Sequence, residues 1–201
     1  MLSCYVDRPG VDTPNLDRLA SRGTMFENAY TSAPVCTPAR STWYTGLPPN
    51  RSGAWANDVS VGRHVPMLAE LVKERGYDAW HVGKWHLDSA GYEGAGTADG
   101  GFSVDAWYDL RNFYHEVGEK GFNRFGGWNK GLDDETFTFA HRVADRAINL
   151  LKNSNDNKPF FLSVSFDEPH GPYICPPPFR GRFGKDAIYH PTSFMHDLSG
   201  K

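Results

Sequence analysis

The sequence contains no long apolar run, little cysteine and no surplus of basic residues. Its longest apolar stretch, residues 159–166, is far short of the ~20 residues that span a bilayer. The N-terminus has no basic segment followed by an apolar one, so no export signal is visible. Lysine and arginine total 21 against 24 acidic residues, a formal net charge of -3, which excludes the broad basic surface of a nucleic-acid binder. The three cysteines, Cys4, Cys36 and Cys175, are odd in number and far apart. That spacing excludes a disulfide framework or a zinc knuckle and leaves one of them free for a chemical role. Internal repeats and low-complexity tracts are absent as well.

What is present is a globular composition. A chain of 201 residues, 39% hydrophobic and 22% charged, can bury a substantial core and suits one domain or most of a larger one. Thr13 to Gly23 has a capping threonine, Pro14 at the first helical position, apolar Leu16, Leu19 and Ala20, and a glycine stop, which predicts a short helix. Residues 25–33 carry aromatic and small side chains that suit a strand. From Cys36 to Gly46 the Thr-Pro opening and glycine ending recur, placing Cys36 just before a helix N-terminus.

Residues 66–76 read as another helix and 77–82 as the strand after it, with Gly83, Lys84, Trp85 and His86 at the strand's C-terminal end. Residues 88–134 are rich in glycine and aromatics without a clear period and read as loops with short elements. Phe137, Ala140, Val143, Ala144, Ala147, Ile148 and Leu151 form one helical stripe, and the apolar strand 159–166 follows it. Two helix-then-strand units imply a parallel α/β sheet. Beyond Phe166 the chain is rich in proline and then polar, and residues 1–12 supply no convincing first strand.

Three segments carry the chemistry. Cys36-Thr37-Pro38-Ala39-Arg40 sits at a predicted helix start, where free amides and roughly half a positive charge favour a sulfate or phosphate group. Arg40, one turn on, adds a planar charged donor for the same anion. Lys84 and His86 alternate along an extended chain and can share one side while Trp85 points into packing. The third segment, 166–172, holds Pro169-His170 straight after an apolar strand. Taken singly, Cys36 would be a small buried hydrophobe, Arg40 and Lys84 solvated charges, and His86 and His170 satisfied loop histidines. Their order, each after a predicted strand or before a helix, favours a shared site. His64, His81, His115, His141, His190 and His196 match no motif and keep a structural reading, and Asn50-Arg51-Ser52 is a chance-prone sequon.

These segments closely resemble the signatures of the type I, formylglycine-dependent sulfatases of the alkaline phosphatase superfamily. The first is Cys-x-Pro-x-Arg; the second covers Gly76 to His86, with Ala79 in place of the usual hydroxyl residue; the third supplies a Pro-His pair at the rim of the site. The resemblance runs from Thr13 to about Pro178 and implies an α/β, parallel-sheet sandwich of the alkaline phosphatase/sulfatase type. It implies that a formylglycine-generating enzyme oxidises Cys36, that one hydroxyl of the hydrated aldehyde attacks a sulfate ester, that His170 protonates the leaving alcohol and that His86 takes a proton from the second hydroxyl as sulfate is expelled. Arg40 and Lys84 would stabilise negative charge. The substrate would be a sulfated small molecule or carbohydrate.

The family also uses calcium, held by paired aspartates after the first strand and an Asp-Asn or Asp-His pair much later. Cys36, as formylglycine, is the one position here matched to the metal. Asp7 and Asp12 are not assigned, and the late pair and a second lysine would fall beyond Lys201. Residues 1–201 are therefore expected to be an N-terminal catalytic sulfatase domain truncated at both ends and lacking its first strand, inactive in isolation. Full-length relatives are often exported. Competing readings are a phosphonate or phosphate ester hydrolase of the same superfamily, a non-catalytic sulfatase-like chain, and, more distantly, a zinc or Cys-His thiol hydrolase.

Overall fold

The computed structural model describes residues 2–5, 11–121, 135–171, 173, 175–177 and 179–184. The chain divides into two compact units, residues 1–30 with 179–201, and residues 31–178. In the first unit, helix α1 (Pro14–Arg22) begins with proline as predicted. Thr13 does not cap it; its hydroxyl bonds Ser3 Oγ at 2.5 Å and Asp17 Oδ1 at 3.3 Å. The expected strand at 25–33 does not form, and Phe26 and Tyr30 are exposed. β propensity alone does not make a strand without a neighbouring ladder.

The second unit holds α2 (Cys36–Thr45), α3 (Pro49–Ser52), α4 (Leu68–Lys73), β1 (Asp78–Gly83), β2 (Trp107–Tyr108), α5 (Leu110–Gly121), α6 (Phe139–Lys152) and β3 (Phe160–Ser165). Helix α4 starts later than the pattern predicts because the Met67 amide donates to Glu70 Oε2 at 2.8 Å and closes the first turn there. Helix α5 lies in the stretch expected to be loops. Leu110, Phe113, Tyr114 and Val117 do share one helical face, but Gly118, at φ 60°, interrupts it. The remaining part of that stretch, 122–134, lies outside the described residues, as do Asp7 and half of the segment 1–12 expected to lack a first strand.

The sheet runs β2-β1-β3, all parallel, with Asp78 opposite Phe160 and Gly83 opposite Ser165. Alternate residues of β1 face two cores. On one side Ala79 and His81 meet Tyr44, Trp85 and Phe102; on the other Val82 meets Phe113, Phe139 and Val143. Helices therefore cover both faces of a parallel sheet. Gly83, at φ 116°, ends β1, and a Cβ there would lie 2.0 Å from the Ser165 carbonyl oxygen, so only glycine lets β1 and β3 close at this end.

Candidate active site

The site lies where β1 and β3 end together. The Lys84 amide donates to the Ser165 carbonyl at 2.8 Å, carrying the pairing one step past Gly83. Helix α2 is then bolted to the segment that follows. Thr37 Oγ1 donates to the His86 carbonyl at 2.9 Å, and Arg40 Nη1 donates to the Lys84 carbonyl at 2.9 Å and to Ser165 Oγ at 3.0 Å. Thr37 and Arg40 are both buried. The Cys-x-Pro-x-Arg turn and the Lys-x-His turn are thus tied through both functional residues of the latter. Trp85 points into the core, 1% exposed, with its indole N–H on Asp99 Oδ2 at 3.0 Å.

Cys36 is the first residue of α2, not the residue before it, and Val35 is the extended cap. The expectation of free amides for an anion needs correction. Thr37 N–H donates to Asn57 Oδ1 at 3.0 Å, Pro38 has none, and Ala39 N–H donates to the Val35 carbonyl at 3.0 Å. Side-chain cations supply the positive field instead. Arg40 and Lys84 both interact electrostatically with Cys36. Arg40's Nη1 is taken up by the two strand ends, so part of this guanidinium acts as a strut.

Lys84 is buried, its side chain 4% exposed, and forms an ion pair with Asp167 Oδ1 at 3.0 Å. Burial pulls its ammonium below the ordinary lysine range, while the Asp167 carboxylate opposes that shift. His86 has a left-handed backbone, φ 62°, which a non-glycine residue rarely adopts. Its Nε2 lies 3.0 Å from Asp58 Oδ1. A carboxylate only accepts, so Nε2 carries the hydrogen and Nδ1 of the neutral ring keeps its lone pair. That Nδ1 is buried and makes no hydrogen bond. Burial, and then the nearby Lys84 and Arg40, pull His86 below the usual histidine range against the opposing pull of Asp58. The ring is therefore neutral near pH 7, with its basic nitrogen unoccupied.

His170 is exposed and follows β3. Its Nδ1 donates to the Gly171 carbonyl at 2.9 Å, which leaves the lone pair of the neutral ring on Nε2. The ring packs on Tyr92, centroids 4.8 Å apart, and the other edge of this assembly is His86, 5.3 Å from the same tyrosine. The structure thus brings Arg40, Lys84, His86 and His170 around one cluster, with Cys36 in the field of its cations. Asn57, Asp58, Tyr92, Ser165 and Asp167 were missed in the sequence. Asp167 lies within the third motif and Asn57-Asp58 follows the first, but only tertiary contact identifies their partners.

Among the described residues, no three His, Cys, Asp or Glu side chains gather to hold a metal ion. The described residues therefore do not fit a calcium site, since Cys36 has two cations as neighbours and Asp167 is engaged by Lys84. No helix among them is long and apolar enough to cross a membrane.

The family model described as "Sulfatase" matches residues 2–192. An uncharacterized sulfatase, YidJ, of Escherichia coli K12 is 38% identical over 212 residues, covering all of this chain and 42% of that protein. The N-acetylglucosamine-6-O-sulfatase of Bacteroides thetaiotaomicron is 28% identical over 200 residues, covering all of the chain and 34% of that protein. A solved structure in complex with its substrate D-glucosamine-2-N,6-O-disulfate superposes with TM-score 0.62 at 26% identity, over 84% of this chain and 32% of that one. The phosphonate monoester hydrolase of Agrobacterium radiobacter shares the fold, with TM-score 0.67 at 24% identity over 88% of this chain and 40% of that one. The chain thus spans about two-fifths or less of the length of these proteins.

Proposed function

The chain belongs to the sulfatase family and has the α/β, parallel-sheet fold of the alkaline phosphatase/sulfatase type, and from this premise we propose that the protein carrying it hydrolyses sulfuric esters at Cys36. The observation that carries the proposal is the pair of hydrogen bonds from Thr37 and Arg40 to the carbonyls of His86 and Lys84, beside a buried His86 whose Nδ1 is unoccupied. A general base needs such a nitrogen: neutral, held from its far side and not already bonded.

Cys36, converted to formylglycine, supplies a hydrated aldehyde; one hydroxyl attacks the ester sulfur as the bond from sulfur to the alcohol oxygen breaks, leaving a sulfated enzyme. His86 Nδ1 then takes the proton of the second hydroxyl as the C–O bond to sulfate breaks, which releases sulfate and restores the aldehyde, and Asp58 keeps the resulting imidazolium oriented and charge-balanced. His170, its Nδ1 held by the Gly171 carbonyl, gives a proton from Nε2 to the departing alcohol. Arg40 and Lys84 hold positive charge where the sulfate oxygens gather negative charge. Calcium belongs to this family's chemistry, but no step here is routed through it. The conversion of Cys36 requires a formylglycine-generating enzyme acting before folding completes, because Thr37, Pro38 and Arg40 of its recognition segment are buried in α2.

The substrate we propose is a sulfated carbohydrate or small molecule, supported by the disulfated glucosamine bound to the similar structure. Residues 1–201 are proposed as an N-terminal catalytic domain of that protein, consistent with a family match running through both compact units. The test is expression with and without the formylglycine-generating enzyme, followed by turnover of aryl sulfate and aryl phosphonate esters. Sulfate turnover that depends on conversion supports the proposal. Faster phosphonate turnover would move it to phosphonate esters, and an unconverted thiol at Cys36 under permissive conditions would sink it.

A further inference from the structure

The groups assigned to the reaction come from separate motifs, yet three of them touch one side chain that belongs to none. Tyr92 lies in the glycine-rich loop between β1 and β2. Its ring centroid is 3.8 Å from Lys84 Nζ, 5.3 Å from the His86 ring and 4.8 Å from the His170 ring. Its hydroxyl donates to both Asp167 oxygens, at 2.6 and 2.7 Å, and Asp167 Oδ1 also takes the Lys84 ammonium at 3.0 Å. Lysine, tyrosine and aspartate thus close a three-membered ring of contacts.

We infer that Tyr92 and Asp167 are a positioning pair for the proposed hydrolysis, setting the spacing of Lys84, His86 and His170 around the substrate anion. The inference rests on the functional reading above. Lys84 needs such a holder: a flexible four-carbon stem ending in a buried charge has many rotamers, and only some face the nucleophile. Asp167 fixes one ammonium direction, and the ring face fixes another through cation–π attraction. Lysine has three donors, so its remaining hydrogens stay available for a sulfate oxygen. The Tyr92 hydroxyl in turn prevents Asp167 from swinging toward the anion, where its negative charge would oppose binding. Burial and the Asp167 carboxylate push the Tyr92 phenol well above its ordinary range, so it remains a donor throughout.

The same ring also packs on the two histidines. His86 meets it at 70° and His170 at 39°, so one tyrosine contacts both the proposed base and the proposed acid. A residue that merely fills space would be replaceable by any apolar side chain of similar volume. A positioning residue is not, because a displacement of about 1 Å at reacting groups can cost ~10²-fold in rate.

The experiment compares Tyr92→Phe, Tyr92→Leu, Asp167→Asn and the Tyr92→Phe/Asp167→Asn double variant in the full-length, formylglycine-converted protein, with aryl sulfate as probe and thermal melting as the control for folding. Tyr92→Phe keeps the ring and loses one charge-assisted hydrogen bond, so kcat should fall about tenfold with KM little changed. Tyr92→Leu loses the ring and should lose ~10²-fold or more in kcat. The double variant should lose no more than the worse single, because the two residues act as a unit. If Tyr92→Leu only lowers the melting temperature and leaves kcat of the folded protein intact, or if the single losses multiply in the double variant, the pairing is overturned. Wild-type protein without sulfatase turnover defeats the functional reading and this inference with it, whereas active wild type with unaffected variants defeats the inference alone.

Discussion

Two buried histidines five residues apart on the same strand and its extension, His81 and His86, have opposite meanings. Both lose solvent, and in both burial is the largest cause of a pKa below the ordinary range. His81 sits fully buried among Tyr44, Trp85, Phe102 and Trp107. Its Nε2 lies 3.1 Å from the Gly83 carbonyl, which only accepts, so Nε2 donates and Nδ1 accepts from Ser163 Oγ at 3.1 Å. Tyr44 then donates to Ser163 Oγ at 2.6 Å, and the chain of protons closes. His86 satisfies Nε2 on Asp58 and leaves Nδ1 open. Burial alone therefore does not distinguish the two histidines; the open Nδ1 of His86 does, and it is the feature on which the proposed role rests.

The largest effect that could break this contrast is on turnover. His86→Ala should lower kcat of the proposed sulfatase ~10²–10⁴-fold with the fold preserved, checked by aryl sulfate kinetics and circular dichroism. Retained turnover would make His86 as structural as His81. Next, Gly83→Ala should destabilise the protein by at least about 3 kcal/mol, read by urea unfolding, because its Cβ would meet the Ser165 carbonyl at 2.0 Å with φ at 116°. His81→Leu should cost about 2–3 kcal/mol by taking the imidazole donor from the Gly83 carbonyl and the imidazole acceptor from the Ser163 hydroxyl. The turnover of the molecules that remain folded should be unchanged.

Acid sharpens the same comparison. Burial, the first cause, holds His81 down to about 3, against 6.5 for an ordinary histidine. Between those values the unfolded chain binds a proton that the folded one excludes, so stability is complete above pH 6.5 and falls as pH drops. The slope from His81 is at most about 1.4 kcal/mol per pH unit. His86, also depressed, adds in the same direction. Melting temperature measured from pH 7.5 to pH 5 should fall less steeply in His81→Leu; parallel slopes would refute the assignment. The smallest effect lies on the surface. Glu116 pairs with Arg142 and Arg146, all partly exposed, and Glu116→Gln should cost no more than about 1 kcal/mol and weaken with salt.

Much of this was legible in residues alone, for identifiable reasons. Pro14, the Cys36 to Gly46 pattern and the apolar stripe of α6 announced helices because caps and 3.6-residue periodicity are local. The runs that became β1 and β3 were readable because each follows a helical pattern closed by Gly76 or by a polar turn, and β3 is rich in aromatic and β-branched residues. Residues 25–33 misled because strand formation depends on a partner that composition does not contain. Helix α5 was missed because the glycines and aromatics around it obscured the face formed by Leu110, Phe113, Tyr114 and Val117. The motif order likewise singled out Cys36, Arg40, Lys84, His86 and His170 as candidates, and their catalytic roles are those proposed above.

The sequence by itself determined the family, the parallel α/β class and the residue types available for chemistry, since motifs, caps and periodicities are properties of neighbouring residues. Tertiary structure alone decided what each group does. Asp58 orients His86, Asp167 and Tyr92 hold Lys84, Arg40 braces two strand ends, and Asn57 takes an amide that was expected to be free for the anion. These roles depend on separations of about 3 Å between residues up to 125 positions apart, as in Arg40 and Ser165. Hydrogen bonding and desolvation act through space, so they come into being only when the strand ends meet.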